Sequence, residues 1–177
     1  MNADKPSLSA KNLFVGVAPA RYIRCALLLA GFLPAANAGG AGHRHPDFSG
    51  TWRLDARGSD FGRLPALVRM VDEIRQTPSS VSIRRVQATE NQETASEIVY
   101  QLNGAESFRR YPAGESHSKV HWQGEVLVID SKVEFDGMPM RVEDRWVLAP
   151  DGKSLEIDRR FQSRRGAMVQ KLLLVKQ

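Results

Sequence analysis

Leu127-Val-Ile-Asp-Ser-Lys-Val-Glu-Phe-Asp-Gly-Met-Pro-Met-Arg-Val-Glu-Asp-Arg-Trp-Val-Leu148 decides the fold. On both sides of Asp136-Gly137 the chain alternates with period 2, the pattern of antiparallel strands. Asp-Gly tolerates the positive φ angles of a two-residue hairpin turn. With that turn, Val133 faces Met140, Ser131 faces Val142, Ile129 faces Asp144 and Leu127 faces Trp146. A four-residue loop at 150–153 then sets Leu148 against Leu155, Trp146 against Ile157, Asp144 against Arg159 and Val142 against Phe161. Both registers place Val142, Asp144, Trp146 and Leu148 on one mostly apolar face. The other face pairs Arg145 with Asp158 and Glu143 with Arg160. A one-residue slip would scramble all of these pairs.

The same reading extends upstream. Short period-2 runs rich in Val, Ile and aromatics predict strands near 49–55, 67–76, 80–88, 95–102, 106–111, 117–123, 125–135, 138–148, 155–162 and 167–176. No long 3.6-period stripe interrupts them. Asn103-Gly104 and Gln123-Gly124 read as further hairpin turns. The connection at 56–66 is the longest and has room for a turn of helix. Sequential hairpins make an up-and-down sheet, and about ten strands tend to curl or close, which removes both edges. The predicted fold is all-β: an antiparallel up-and-down β-barrel of about 8–10 strands over residues 48–177.

Residues 1–38 read as a cleavable export signal. Lys5, Lys11, Arg21 and Arg24 precede the apolar run 25–34, and Ala36-Asn37-Ala38 supplies a small-x-small cleavage site. The apolar run is shorter than the roughly 20 residues of a membrane span. An uncleaved anchor helix is the alternative reading. Residues 39–47, rich in Gly and His, read as a flexible leader. Cleavage removes Cys25, the only cysteine, so the domain keeps no disulfide and no thiol metal site. The signal holds four of the 25 Lys+Arg and one of the 20 Asp+Glu. The domain is left with 21 basic against 19 acidic residues, which is no nucleic-acid footprint. The expected compartment is the periplasm or the exterior of a bacterial cell, with no integral membrane segment in the mature chain.

The apolar face carries two opposed charges, Asp144 and Arg159. A buried charge needs a partner. The pair either fixes strand register, or leaves Arg159 partly free to receive a carboxylate or phosphate through its fork. Ser131 and Trp146 share that face, and Tyr100 is a further candidate for the lining, so the candidate ligand-binding set is Arg159, Asp144, Trp146, Ser131 and Tyr100. Adjacent arginines recur at 84–85, 109–110, 159–160 and 164–165. Neighbours on a strand point to opposite faces; either one of each pair enters the barrel, or the pairs sit at rims where long side chains snorkel out. His117 and His121 lie about 13 Å apart along one strand face, too far to share an ion, and read as surface residues. His43, His45 and Asp47 fall in the leader, without the second shell of a metal site. No metal and no cofactor is expected. No nucleophile–base motif, phosphate loop or zinc signature occurs, so no catalytic residue is named, and Asp144 is the one interior carboxylate available to an enzyme.

Phe48-Ser-Gly-Thr-Trp-Arg-Leu54, with Gly50 and Trp52 in a Gly-x-Trp pattern ahead of the meander, resembles the calycin superfamily of lipocalins and fatty-acid-binding proteins. The resemblance implies that Trp52 packs the barrel floor beside a basic side chain from a late strand, Arg159 or Lys171. The Arg-x-Tyr that holds a ligand carboxylate in fatty-acid-binding proteins is replaced here by Arg159-Arg160-Phe161. Ser59-Asp-Phe-Gly62, Trp122-Gln-Gly124 and Asp144-Arg-Trp146 add a resemblance to a group of exported bacterial proteins; it implies fold and compartment and no activity. The expected function is binding or carriage of a small apolar or anionic ligand. A filled barrel that docks another envelope protein is the alternative, and a small cavity enzyme the third.

Overall fold

The computed structural model describes residues 45–177. The signal expected over 1–38 and residues 39–44 of the leader lie outside the described residues. Ten strands follow in order: β1 (Gly50–Leu54), β2 (Arg69–Gln76), β3 (Ser80–Ala88), β4 (Glu93–Gln101), β5 (Ser107–Tyr111), β6 (Gly114–Gln123), β7 (Val126–Phe135), β8 (Met138–Leu148), β9 (Ser154–Ser163) and β10 (Gly166–Lys176). All pairings are antiparallel, and the sheet order is β4-β3-β2-β1-β10-β9-β8-β7-β6-β5. Because β1 pairs with β10, the sheet curls into a nearly closed up-and-down barrel. No helix among the described residues is long and apolar enough to cross a membrane.

The two predicted C-terminal registers are the observed ones. Leu127 pairs with Trp146 and Val133 with Met140; Asp144 pairs with Arg159 and Leu148 with Leu155. The turn that fixes them has φ 49° at Asp136 and 71° at Gly137. Two successive positive φ angles match the right-handed twist of the strands they join.

Two expectations are corrected. Asn103-Gly104 does not close a hairpin: β4 and β5 are the two edges of the sheet. The Asn103 side chain accepts from the Ala105 N–H, and the Leu102 N–H turns back to Ser79. Across the seam the Gln101 N–H donates to Ser107 Oγ at 2.8 Å, so a side chain takes the place of a ladder carbonyl. The edges expected to vanish therefore persist, side by side. The 56–66 connection holds turns and no helix. It is laced to β10, with reciprocal backbone bonds of 2.8 and 2.7 Å between Asp60 and Lys171. Ser59 Oγ also accepts from the Leu173 N–H.

Inward residues at one end of the barrel are apolar and fully packed: Trp52, Ile74, Val81, Leu127, Trp146, Leu155, Leu172 and Leu174 among them. Each buried aliphatic side chain of this size contributes about 1.5–3 kcal/mol. Phe48 enters just ahead of β1, edge-on to Trp146 with ring centroids 5.6 Å apart. The Trp52 indole N–H donates to the Phe48 carbonyl at 2.8 Å. His45 stacks on Trp122 at 4.2 Å, and Gln76 donates to the Pro46 carbonyl, so residues 45–47 lie against the barrel.

Candidate functional site

Beyond the apolar floor the inward faces turn polar. Arg159 donates from Nε and Nη2 to the two Asp144 oxygens, each at 2.6 Å. A second pair repeats this on the other side of the barrel. Arg85 donates to both Asp72 oxygens at 2.8 and 2.6 Å, and the Asp72 side chain is wholly buried. Burial works against both arginine charges. Each carboxylate more than offsets it, so Arg159 and Arg85 are held above their usual range.

Arg85, Asp144 and Arg159 of these pairs border an interior cavity of about 250 Å³ that also touches Tyr100, Ser107, Arg109, Ser118, Ser131 and Phe161. Burial raises the Tyr100 phenol above its ordinary pKa and Asp144 adds to the rise, while Arg159, Arg85 and Arg109 pull the other way. No hydrogen bond is made by the Tyr100 hydroxyl among the described residues. Ser118 and Ser131 share one hydroxyl contact of 2.8 Å. The cavity reaches the surface at the seam between β4 and β5. Val99 and Phe108 flank it there, 46% and 54% exposed. Larger hollows of about 430 and 600 Å³ lie on the outer face of β6–β9. Solvated side chains such as Lys132 and Arg141 wall both, whereas the buried Arg85, Ser107, Ser118 and Asp144 all line the interior cavity.

Of the residues expected to bind a ligand, Asp144, Arg159, Tyr100 and Ser131 meet at this cavity. Trp146 does not line it; it lies in the floor, 1% exposed, its indole N–H without a partner among the described residues. Sequence reasoning did not assign Asp72, Arg85, Arg109 or Ser107 to the site, Arg85 and Arg109 entering only as members of arginine doublets. A signal for the first two was present: the turn at 77–80 pairs Gln76 with Val81, which puts Asp72 opposite Arg85. Three of the four arginine doublets split as strand geometry requires, while Arg164 and Arg165 lie in the β9–β10 turn and are both exposed. Arg85 and Arg159 point inward and are buried or nearly so, Arg109 points inward and is half-buried, and Arg84, Arg110 and Arg160 are exposed. The basic partner of Trp52 is neither Arg159 nor Lys171. Lys176, opposite Trp52 in the β1–β10 register, sets its ammonium 5.3 Å from the ring centroid. Lys171 points outward to Glu156 and Asp158. His117 and His121 also face outward, the first bonded to Glu106 at 3.0 Å. No group of three or more potential metal-binding side chains occurs among the described residues.

No protein-family model and no curated protein matches the chain. Among solved structures it is similar to secretory abundant heat soluble protein 4 from Ramazzottius varieornatus, at 12% identity and TM-score 0.53, over 73% of this chain and 94% of that one. It is also similar to the zebrafish ileal bile acid-binding protein complexed with cholic acid (15% identity, TM-score 0.49, 73% and 98% covered). Human cRBP IV gives 18% identity and TM-score 0.49 over 75% and 99%. What is shared with the first of these, at 12% identity, is the fold.

Proposed function

We propose that this chain is an exported barrel that binds or carries a small apolar or anionic ligand in its interior cavity. The observation that supports this best is the convergence of two bidentate ion pairs, a phenol and several serines on one hollow inside an otherwise packed barrel. A purely structural interior has no need of a hollow: close-packed apolar side chains fill the other end of the same barrel. The site residues are Arg159, Asp144, Tyr100 and Ser131, with Arg85 and Arg109 added by the fold.

The test is a thermal-shift screen of the purified protein against fatty acids, haem and aromatic acids. A ligand that binds only the folded state raises the melting temperature, by RT ln(1 + [L]/Kd) in free energy. A flat response across the whole panel overturns the reading. Export is tested separately, by N-terminal sequencing of the secreted or periplasmic protein; the expected first residue is Gly39.

A further inference from the structure

Resting on that cavity reading, we propose that the ligand is a small organic anion, a carboxylate on a single ring or short chain, and that Arg109 receives its charge. The reasoning begins with a count of interior charges. Asp72 with Arg85 and Asp144 with Arg159 close on themselves, each carboxylate taking both bonds from one guanidinium. Among the described residues, one cation lining the cavity is left over, Arg109 on the short edge strand β5. Its side chain makes no ion pair or hydrogen bond among the described residues; its guanidinium carbon sits 5.6 Å from the Tyr111 ring centroid.

Donors around Arg109 outnumber acceptors. The Tyr100 hydroxyl has no partner among the described residues. Ser107 Oγ accepts from the Gln101 N–H and keeps its own hydrogen to give. The single Ser118–Ser131 contact leaves one hydroxyl hydrogen between them. Tyr111 is the exception, engaged with the Glu115 and Glu134 carbonyls at 2.9 Å each. A wall of free donors beside one net positive charge fits a group that accepts several hydrogen bonds and carries negative charge. The Asp144 oxygens do not repel it strongly, since Arg159 covers both.

Size narrows the class. The cavity holds about 250 Å³, the volume of about eight liquid waters at ~30 Å³ each, so a ligand of about ten non-hydrogen atoms fits. Val133, Val142 and Phe161 offer its body an apolar wall. A long alkyl chain or a four-ring frame would have to project out through the β4–β5 seam into solvent, because Trp52 and Trp146 fill the floor below.

The experiment is isothermal titration calorimetry with benzoate, benzyl alcohol and palmitate, paired with thermal shift. Benzoate is expected to bind, and benzyl alcohol, its neutral counterpart, to bind at least about tenfold more weakly, the cost of losing a charge-assisted contact. Arg109→Met should weaken benzoate by at least tenfold while its melting temperature without ligand stays near wild type, since Arg109 has no partner to strand. Tyr100→Phe provides a second reading, a severalfold loss for benzoate only. Equal binding of benzyl alcohol, or unchanged benzoate affinity in both variants, overturns the charge assignment and leaves the cavity reading intact. Palmitate binding tighter than benzoate overturns the size limit. No binding of any of the three probes overturns this inference, while the wider screen still decides the cavity reading.

Discussion

Arg85 grips Asp72 with the same two-pronged geometry that Arg159 uses on Asp144, and both guanidinium groups line the same hollow. Asp72 is the more deeply placed carboxylate, 0% exposed. Removing its partner leaves a buried charge with nothing to offset its desolvation. Arg85→Met is therefore expected to lower the unfolding free energy by about 3–5 kcal/mol. The double variant Asp72→Leu with Arg85→Met removes both charges and should recover most of that loss. Arg159→Met should cost less than Arg85→Met, because the Arg159 side chain keeps 19% of its surface in contact with solvent. Urea unfolding of the four proteins ranks them; a single Arg85 variant as stable as wild type would mean that water reaches Asp72.

Much of this site could be read in advance wherever a turn fixed the register. Asp136-Gly137 and the loop at 150–153 have one plausible length each, so Asp144 opposite Arg159 followed from counting residues. The β2–β3 pair carried the same information, but Pro78 and two serines blur where its turn begins. The Asp72–Arg85 pair went unread for that reason. The β4–β5 seam was hidden for a different one. Asn103-Gly104 is a good hairpin sequence, and local preference cannot report that Leu102 has already turned back to Ser79. Lys176 over Trp52 needed the β1–β10 pairing, a contact between the first and last strands that no local pattern specifies. Arg109 as a cavity-lining cation unpaired among the described residues needed the whole barrel, since being unpaired is a property of every neighbour at once.

His117 offers a pH-dependent contact on the outer face. Its hydrogen bond to Glu106 raises its pKa above the ordinary histidine value; slight burial opposes this, and Glu115 adds to the rise. A raised folded pKa gives stability that is complete below the ordinary value of about 6.5 and is lost as pH climbs through the folded one. Glu106 is shifted the other way, its carboxyl lowered chiefly by the same hydrogen bond. Its contribution is present above the ordinary glutamate value and fades as pH falls through the lowered one. Proton NMR of the His117 ring should show a titration midpoint above the ordinary value, moving back toward it in Glu106→Gln. An unmoved midpoint in that variant rejects Glu106 as the cause.

The two floor tryptophans should respond differently to loss of their indole nitrogens. Trp52 donates to the Phe48 carbonyl at 2.8 Å, so Trp52→Phe deletes a buried bond and strands an acceptor, a cost of about 1–3 kcal/mol beyond the volume change. The Trp146 N–H has no partner among the described residues. Trp146→Phe removes an unsatisfied donor, which offsets part of the lost packing. Thermal unfolding should therefore show a clearly larger drop for Trp52→Phe than for Trp146→Phe. The reverse order would indicate a partner for Trp146, such as a bound water.

Gly114 is where backbone approach, rather than chain reversal alone, dictates the residue. It has φ 150°, and a Cβ there would lie 1.9 Å from the Glu134 carbonyl oxygen. That oxygen also accepts the Tyr111 hydroxyl, so it is pinned and cannot step aside without breaking a second contact. The conformation alone costs a side-chain-bearing residue about 1–3 kcal/mol, and the clash adds to it. Gly124 is the natural control: its φ is 62°, but a Cβ would meet nothing within 4 Å. Gly124→Ala should cost about 1–2 kcal/mol, the left-handed penalty alone, and Gly114→Ala distinctly more. Chemical denaturation separates them. Equal losses would show that the β6–β7 ladder shifts freely beside the turn, and that Tyr111 does not anchor it.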